Sequence, residues 1–124
     1  MTAGPGVPLR RLKTRSEFLR AARGKRTGRS GFSLQMVPST EAEPGIGFTV
    51  TKKTGNSPER NRIRRRLREA VRACAPAFQT RHDYVIVGRR EALGAPFATL
   101  VDDLCASLAK LHANPAPSPR NKTQ

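Results

Sequence analysis

Apolar and polar residues alternate along two short stretches of the chain. Between Phe32 and Val37, the side chains of Phe32, Leu34 and Met36 point one way and those of Ser33 and Gln35 the other. From Ile46 to Thr51 the same period sets Ile46, Phe48 and Val50 against Gly47, Thr49 and Thr51. A repeat of two belongs to a half-buried strand. The spacing therefore predicts two antiparallel strands that share one apolar and one polar face, joined by a polar connection over Pro38 to Pro44. Tyr84 to Gly88 is apolar at nearly every position, which predicts an interior strand covered on both sides.

Three other stretches carry the helical period. Ser16 to Arg23 predicts a short helix opened by Thr14 or Ser16 and ended by Gly24, with Phe18, Leu19 and Ala22 on one face. In the turn KKTGNSPER, Gly55 and Asn56 tolerate positive φ, while Ser57 and Pro58 suit the cap and first turn of a helix running to about Cys74, before Pro76. Ile63, Leu67, Ala70, Val71 and Cys74 form its apolar stripe. Pro96 to His112 predicts a last amphipathic helix that buries Phe97, Leu100, Val101, Leu104, Leu108 and Leu111. The order α-β-β-α-β-α gives a small α/β (α+β) sandwich with a mixed sheet, and no internal repeat is visible. Proline, glycine and small polar residues dominate 1–8 and 113–124, which read as disordered tails around a single domain at 9–112.

Composition sharpens this picture. The 124 residues include 24 Lys and Arg against 9 Asp and Glu, a formal charge of +15. Such an excess goes beyond what solubility needs and calls for a polyanionic partner. No apolar run approaches the ~20 residues of a membrane-spanning helix, and no apolar signal core opens the chain, so membrane insertion and export are set aside. Cys74 and Cys105 both fall at apolar helix positions without nearby metal-ligand spacing and read as core residues, with a reducing cytoplasm as the default location. His82 and His112 stand isolated, and Asp102 and Asp103 fall on the wet side of the last helix. Neither a catalytic constellation nor a glycine-rich phosphate loop is present, so a small-molecule substrate and a protein-held metal or cofactor are not expected.

The charge is concentrated. Arg60, Arg62, Arg64, Arg65, Arg66, Arg68 and Arg72 crowd one helix beside only Glu59 and Glu69, with Asn61 in the middle of the arginine face. Solvated faces usually mix both signs. Planar guanidinium groups bind phosphate oxygens two at a time, so this helix points to RNA or DNA. Arg10, Arg11, Lys13, Arg15, Lys25, Arg26, Arg29, Lys52 and Lys53 extend the basic surface. Phe18 either packs on the sheet or stacks on an unpaired base. The polar face of Ser33, Gln35, Thr49 and Thr51 is either a floor for single-stranded nucleic acid or a plain solvated surface.

GFTVTKKTGN followed by SPERNRIRRRLREAVR and then DYVIVGRR resembles the protein subunit of bacterial ribonuclease P, over about Leu9 to Leu111. The resemblance implies a sandwich like the second domain of a small-subunit ribosomal protein, with a left-handed β-α-β crossover, the minority hand. It implies two RNA partners: the family's catalytic RNA and the precursor transfer RNA whose 5′ leader that RNA removes, using Mg²⁺ held by RNA. Carried over by residue, the surface facing the catalytic RNA comprises Lys52, Lys53, Asn56, Arg60, Asn61, Arg62, Arg64, Arg65 and Arg68. The leader cleft comprises Phe18, Ala22, Phe32, Ser33, Gln35 and Thr49. Ala22, Ser33 and Gln35 replace the apolar or aromatic residues common along that cleft. Two other readings compete. A structural ribosomal protein would share size, charge and sheet but not the Arg60-Asn61-Arg62 signature. A major-groove helix of a DNA-binding module would follow a helix and short turn, whereas a strand precedes this one.

Overall fold

A computed structural model describes residues 9–113; the expected tails lie outside them except for Ala113, which closes the last helix. The elements in chain order are β1 (Arg10–Arg11), α1 (Arg15–Ala22), β2 (Lys25–Gly28), β3 (Phe32–Pro38), β4 (Gly45–Thr49), α2 (Ser57–Ala73), β5 (His82–Gly88) and α3 (Phe97–Ala113). The five strands form one mixed sheet in the order β1-β4-β5-β3-β2. β5 lies at its centre, as its apolar run requires, parallel to β4 and antiparallel to β3.

Two expectations change here. β3 and β4 run in opposite directions but do not pair, because β5 is inserted between them. β1 and β2 are additional strands. β2 carries Lys25 and Arg26 on a sheet edge, where polar residues are tolerated and the alternation signal is lost.

The sheet has helices on both faces. Phe32, Leu34, Met36, Ile46, Tyr84 and Ile86 face α2 and α3 and meet Ile63, Leu67, Leu100, Leu104 and Leu108 in the main core. The opposite face carries a smaller cluster of Leu12, Ala21 and Val85, with Phe18, Val37 and Val87 packed against it, under α1. Ala21, rather than Leu19, is the fully buried residue of α1; Leu19 is exposed, as is Phe97 at the start of α3. Cys74 is buried but Cys105 is exposed, so only one of the two is a core residue. Burial drives the Cys74 thiol up to about 12, with Cys105 beside it adding to the shift. His112 is not isolated, since its Nε2 meets the Tyr84 hydroxyl at 2.9 Å.

The α2 cap is one residue earlier than expected. Asn56 Oδ1 accepts the Glu59 N–H and Glu59 Oε1 accepts the Asn56 N–H, both at 2.9 Å, with Ser57 and Pro58 inside the first turn. Asn56 has φ −75° and Gly55 is extended at φ 162°, so the turn does not use the left-handed region; among the described residues only Arg81, at 64°, lies there.

Candidate nucleic-acid interface

The arginines of α2 divide into working groups once their partners are known. Arg66 turns inward, donating from Nε to the Ala92 carbonyl at 2.9 Å and from Nη2 to the Ala95 carbonyl. It is a strut that ties α2 to the turn before α3. Arg60 is half-buried and holds the helix start, through the Gly55 carbonyl at 3.2 Å and Ser57 Oγ at 3.0 Å. Arg72 pairs with Glu69 at 2.9 Å, and Arg64 donates to Asn61 Oδ1 at 3.2 Å. Arg62, Arg65 and Arg68 are exposed and form no ion pair among the described residues. Asn61, Arg65 and Arg68 follow the four- and three-residue steps of one helix face, with Arg62 beside them. Lys52 and Lys53 stand exposed on the single 3₁₀ turn that leads into α2.

The carboxylate of Glu59 serves the fold of this surface. Arg90 donates to its two oxygens at 3.0 and 2.9 Å. This guanidinium, with the Asn56 N–H second, holds the Glu59 carboxyl at about 2. Asn56 likewise spends its side-chain oxygen on the cap.

Strand register defines the second candidate surface. Residues opposite one another in a ladder share a face, so Gly28, Ser33, Val87 and Thr49 form one row across the sheet, on the face that carries α1. The next row holds Arg26, Gln35, Val85 and Gly47. Phe18 closes over Gly47, where an added Cβ would sit 2.7 Å from two of its ring carbons. Ala22 follows Phe18 by one helical turn. Ser33, Val87 and Thr49 thus form a half-buried row on the face that carries α1, with Phe18 packed on the same face. At its β2 end the Arg89 guanidinium lies alongside Gly28. Gln35 is 9% exposed and sits mostly beneath α1. Phe32 does not belong to this face: alternation turns it with Leu34 and Met36 into the main core, where it is fully buried.

Phe18 and the arginine face meet around the β4 edge. A cleft of about 610 Å³ there is lined by Phe18 and Gly47 on one side and by Phe48, Arg64 and Arg68 on the other, with Arg11 at its rim. The Arg68 guanidinium lies 5.8 Å from the centre of the Phe48 ring, within cation–π range.

α1 is held in place by a buried carboxylate that the sequence pattern did not single out. Asp83 is 1% exposed and pairs with Arg10 through Oδ1 and with Arg20 through Oδ2, the latter at 2.6 Å. Arg20 also donates to the Pro38 carbonyl at 2.6 Å. The available signal was an acid opening an otherwise apolar strand, which requires a buried cation partner. Phe48 and Arg89 were not singled out as candidate site residues either, because their relevance depends on which strand edge lies open. Among the described residues, no three His, Cys, Asp or Glu side chains gather as metal ligands. No described helix is long and apolar enough to cross a membrane.

Comparisons with known proteins find similar sequences and a similar fold. The Ribonuclease P family pattern matches residues 8–112. The chain is 45% identical over 112 residues to a ribonuclease P protein component of Paramagnetospirillum magneticum, covering 85% of this chain and 84% of the relative. It is 48% identical over 103 residues to that of Gluconacetobacter diazotrophicus, covering 81% and 89%. Among solved structures, the RNase P protein of Thermotoga maritima superposes with a TM-score of 0.70 at 24% identity, over 81% of this chain and 96% of that one. The Staphylococcus aureus protein gives 0.68 at 24% identity, over 82% and 95%.

Proposed function

The chain belongs to the ribonuclease P protein family, and from that premise we propose that it is the accessory subunit of a cytoplasmic ribonucleoprotein endonuclease that matures the 5′ end of transfer RNA. In this reading Lys52, Lys53, Asn61, Arg62, Arg64, Arg65 and Arg68 meet phosphates of the catalytic RNA. Arg60 and Asn56 act mainly by fixing the start of α2, since their polar atoms are already engaged there. The leader of the precursor lies along the row of Ser33, Val87 and Thr49 against Phe18 and Ala22, with Gln35 at its covered margin. Phe32 contributes only by packing the core. The chemistry is supplied by the RNA partner with Mg²⁺, and the protein lowers phosphate repulsion between enzyme RNA and substrate.

The observation that carries the reading is the row of exposed guanidinium groups without acidic partners, which reaches Phe18 on the other face of the sheet through one cleft. Phosphates and an extended single strand are the ligands that match such a surface. The test is cleavage of a precursor transfer RNA by its cognate catalytic RNA at low Mg²⁺, with and without this protein, and with protein alone as a control. Correct 5′ cleavage only when both are present supports the proposal. Tight RNA binding with no change in cleavage would favour a structural ribosomal role.

A further inference from the structure

One edge of β4 is only partly covered. β1 pairs Arg10 with Gly45 and Arg11 with Ile46, and the last bond across this edge runs from the Leu12 N–H to the Ile46 carbonyl at 2.9 Å. Backbone groups alternate in direction along a strand. Ile46 faces β1, so Gly47 faces β5 and Phe48 faces the β1 side again. Beyond Leu12 no strand residue among the described residues stands opposite. The Phe48 N–H and C=O therefore point outward and have no backbone partner among the described residues.

Phe48 also lines the cleft of about 610 Å³, a size within the roughly 300–1,000 Å³ range of sites that enclose small organic groups. Phe18 bounds it on the α1 side of the sheet, and Arg68, lying against Phe48, bounds it on the other. A free strand edge can also accept a peptide strand. Five arginines line this one, with no acidic residue among its lining, so the charge selects a polyanion.

We propose that this edge slot takes one unpaired nucleobase of single-stranded RNA: the Phe48 N–H and C=O bond its pairing edge, while Phe18 and the Arg68 guanidinium cover its two faces. This rests on RNA being the partner, and adds that the surface senses a base as well as phosphates. Each base presents a donor and an acceptor side by side on its pairing edge, which one extended residue can answer. Stacking between an aromatic ring and a guanidinium plane suits any base, so the slot would favour unpaired over paired nucleotides.

Residue-resolved amide exchange on the full chain tests this directly. In the free protein the Phe48 amide is expected to exchange much faster than those of Gly47 and Thr49, which face β5. A saturating short single-stranded RNA should slow it at least about tenfold, and an equally long oligomer of abasic ribose phosphates should not. Phe18→Leu, which keeps an apolar side chain over Gly47, should weaken the base-bearing oligomer roughly tenfold and leave the abasic one unchanged. A Phe48 amide already protected in the free protein, one that RNA leaves untouched, or equal protection by both oligomers would each overturn the slot. Failure of the broader function appears elsewhere, as absent stimulation of cleavage, and is separable from a silent Phe48 amide in a protein that binds RNA.

Discussion

On the proposed reading Arg65 and Arg66, neighbours in sequence, have opposite tasks, so replacing each with alanine separates RNA contact from architecture at equal loss of charge. Arg65 is exposed and has no partner among the described residues, so Arg65→Ala should change stability by less than about 0.5 kcal/mol. Losing one phosphate contact should reduce the slope of log affinity against log salt by about 0.7–0.9. Between 50 and 200 mM salt, the ratio of wild-type to variant affinity should then fall about threefold. Arg66→Ala removes two charge-assisted bonds, to the Ala92 and Ala95 carbonyls. With partial exposure allowed for, that costs about 2 kcal/mol, or roughly 8–12 °C in Tm, while the salt slope stays near wild type. Thermal unfolding by circular dichroism and filter binding of the catalytic RNA over a salt series measure both quantities. If Arg66→Ala lowered the slope as Arg65→Ala does while leaving Tm intact, the division of this helix into strut and contact would be wrong.

Other perturbations probe other parts of the molecule. Phe18→Ala should weaken precursor transfer RNA binding by the assembled enzyme more than mature transfer RNA binding; equal losses would return Phe18 to a packing role alone. The Glu59 carboxyl lies at about 2 in the folded protein against 4.5 ordinarily. Its contribution is therefore complete above about 4.5 and is lost as pH falls toward 2, so Glu59→Gln should flatten that part of the stability profile in acid melts. With its thiol pushed to about 12 and buried, Cys74 should resist alkylation at neutral pH. Mass spectrometry should then find one modified cysteine, Cys105, in the native protein and two after denaturation; rapid double labelling would contradict the packing of the α2 terminus.

The parts of the fold legible in the sequence are those whose periodicity is long or uninterrupted. α2 and α3 declare themselves through repeated apolar stripes, and β5 through its unbroken apolar run at the sheet centre. β1 and β2 are short, charged edge strands, where solvent accepts any polar residue and no alternation is imposed. That β3 and β4 do not pair depends on β5, far along the chain, and no local pattern encodes it. Alternation placed Phe32 with Leu34 and Met36, and the structure upholds this against its grouping with the cleft residues by resemblance. Arg66 also had a signal of its own: it follows Ile63 by three and precedes Ala70 by four, at the rim of the buried stripe. Its carbonyl partners, however, lie 26 and 29 residues away.

The two faces of the sheet differ in how firmly they are closed. Eighteen buried residues join α2 and α3 to the main core, while three, among the described residues, lie under α1 with the Asp83 ion pairs. Sub-global opening follows the weaker layer. The short N-terminal helix is therefore expected to open before the remainder, with its amides exchanging before those of α2 in native-state hydrogen exchange. On the proposed reading, the arginine face is then the stiff platform that meets the catalytic RNA, and Phe18 belongs to the looser layer, which is expected to adjust to strands of different sequence.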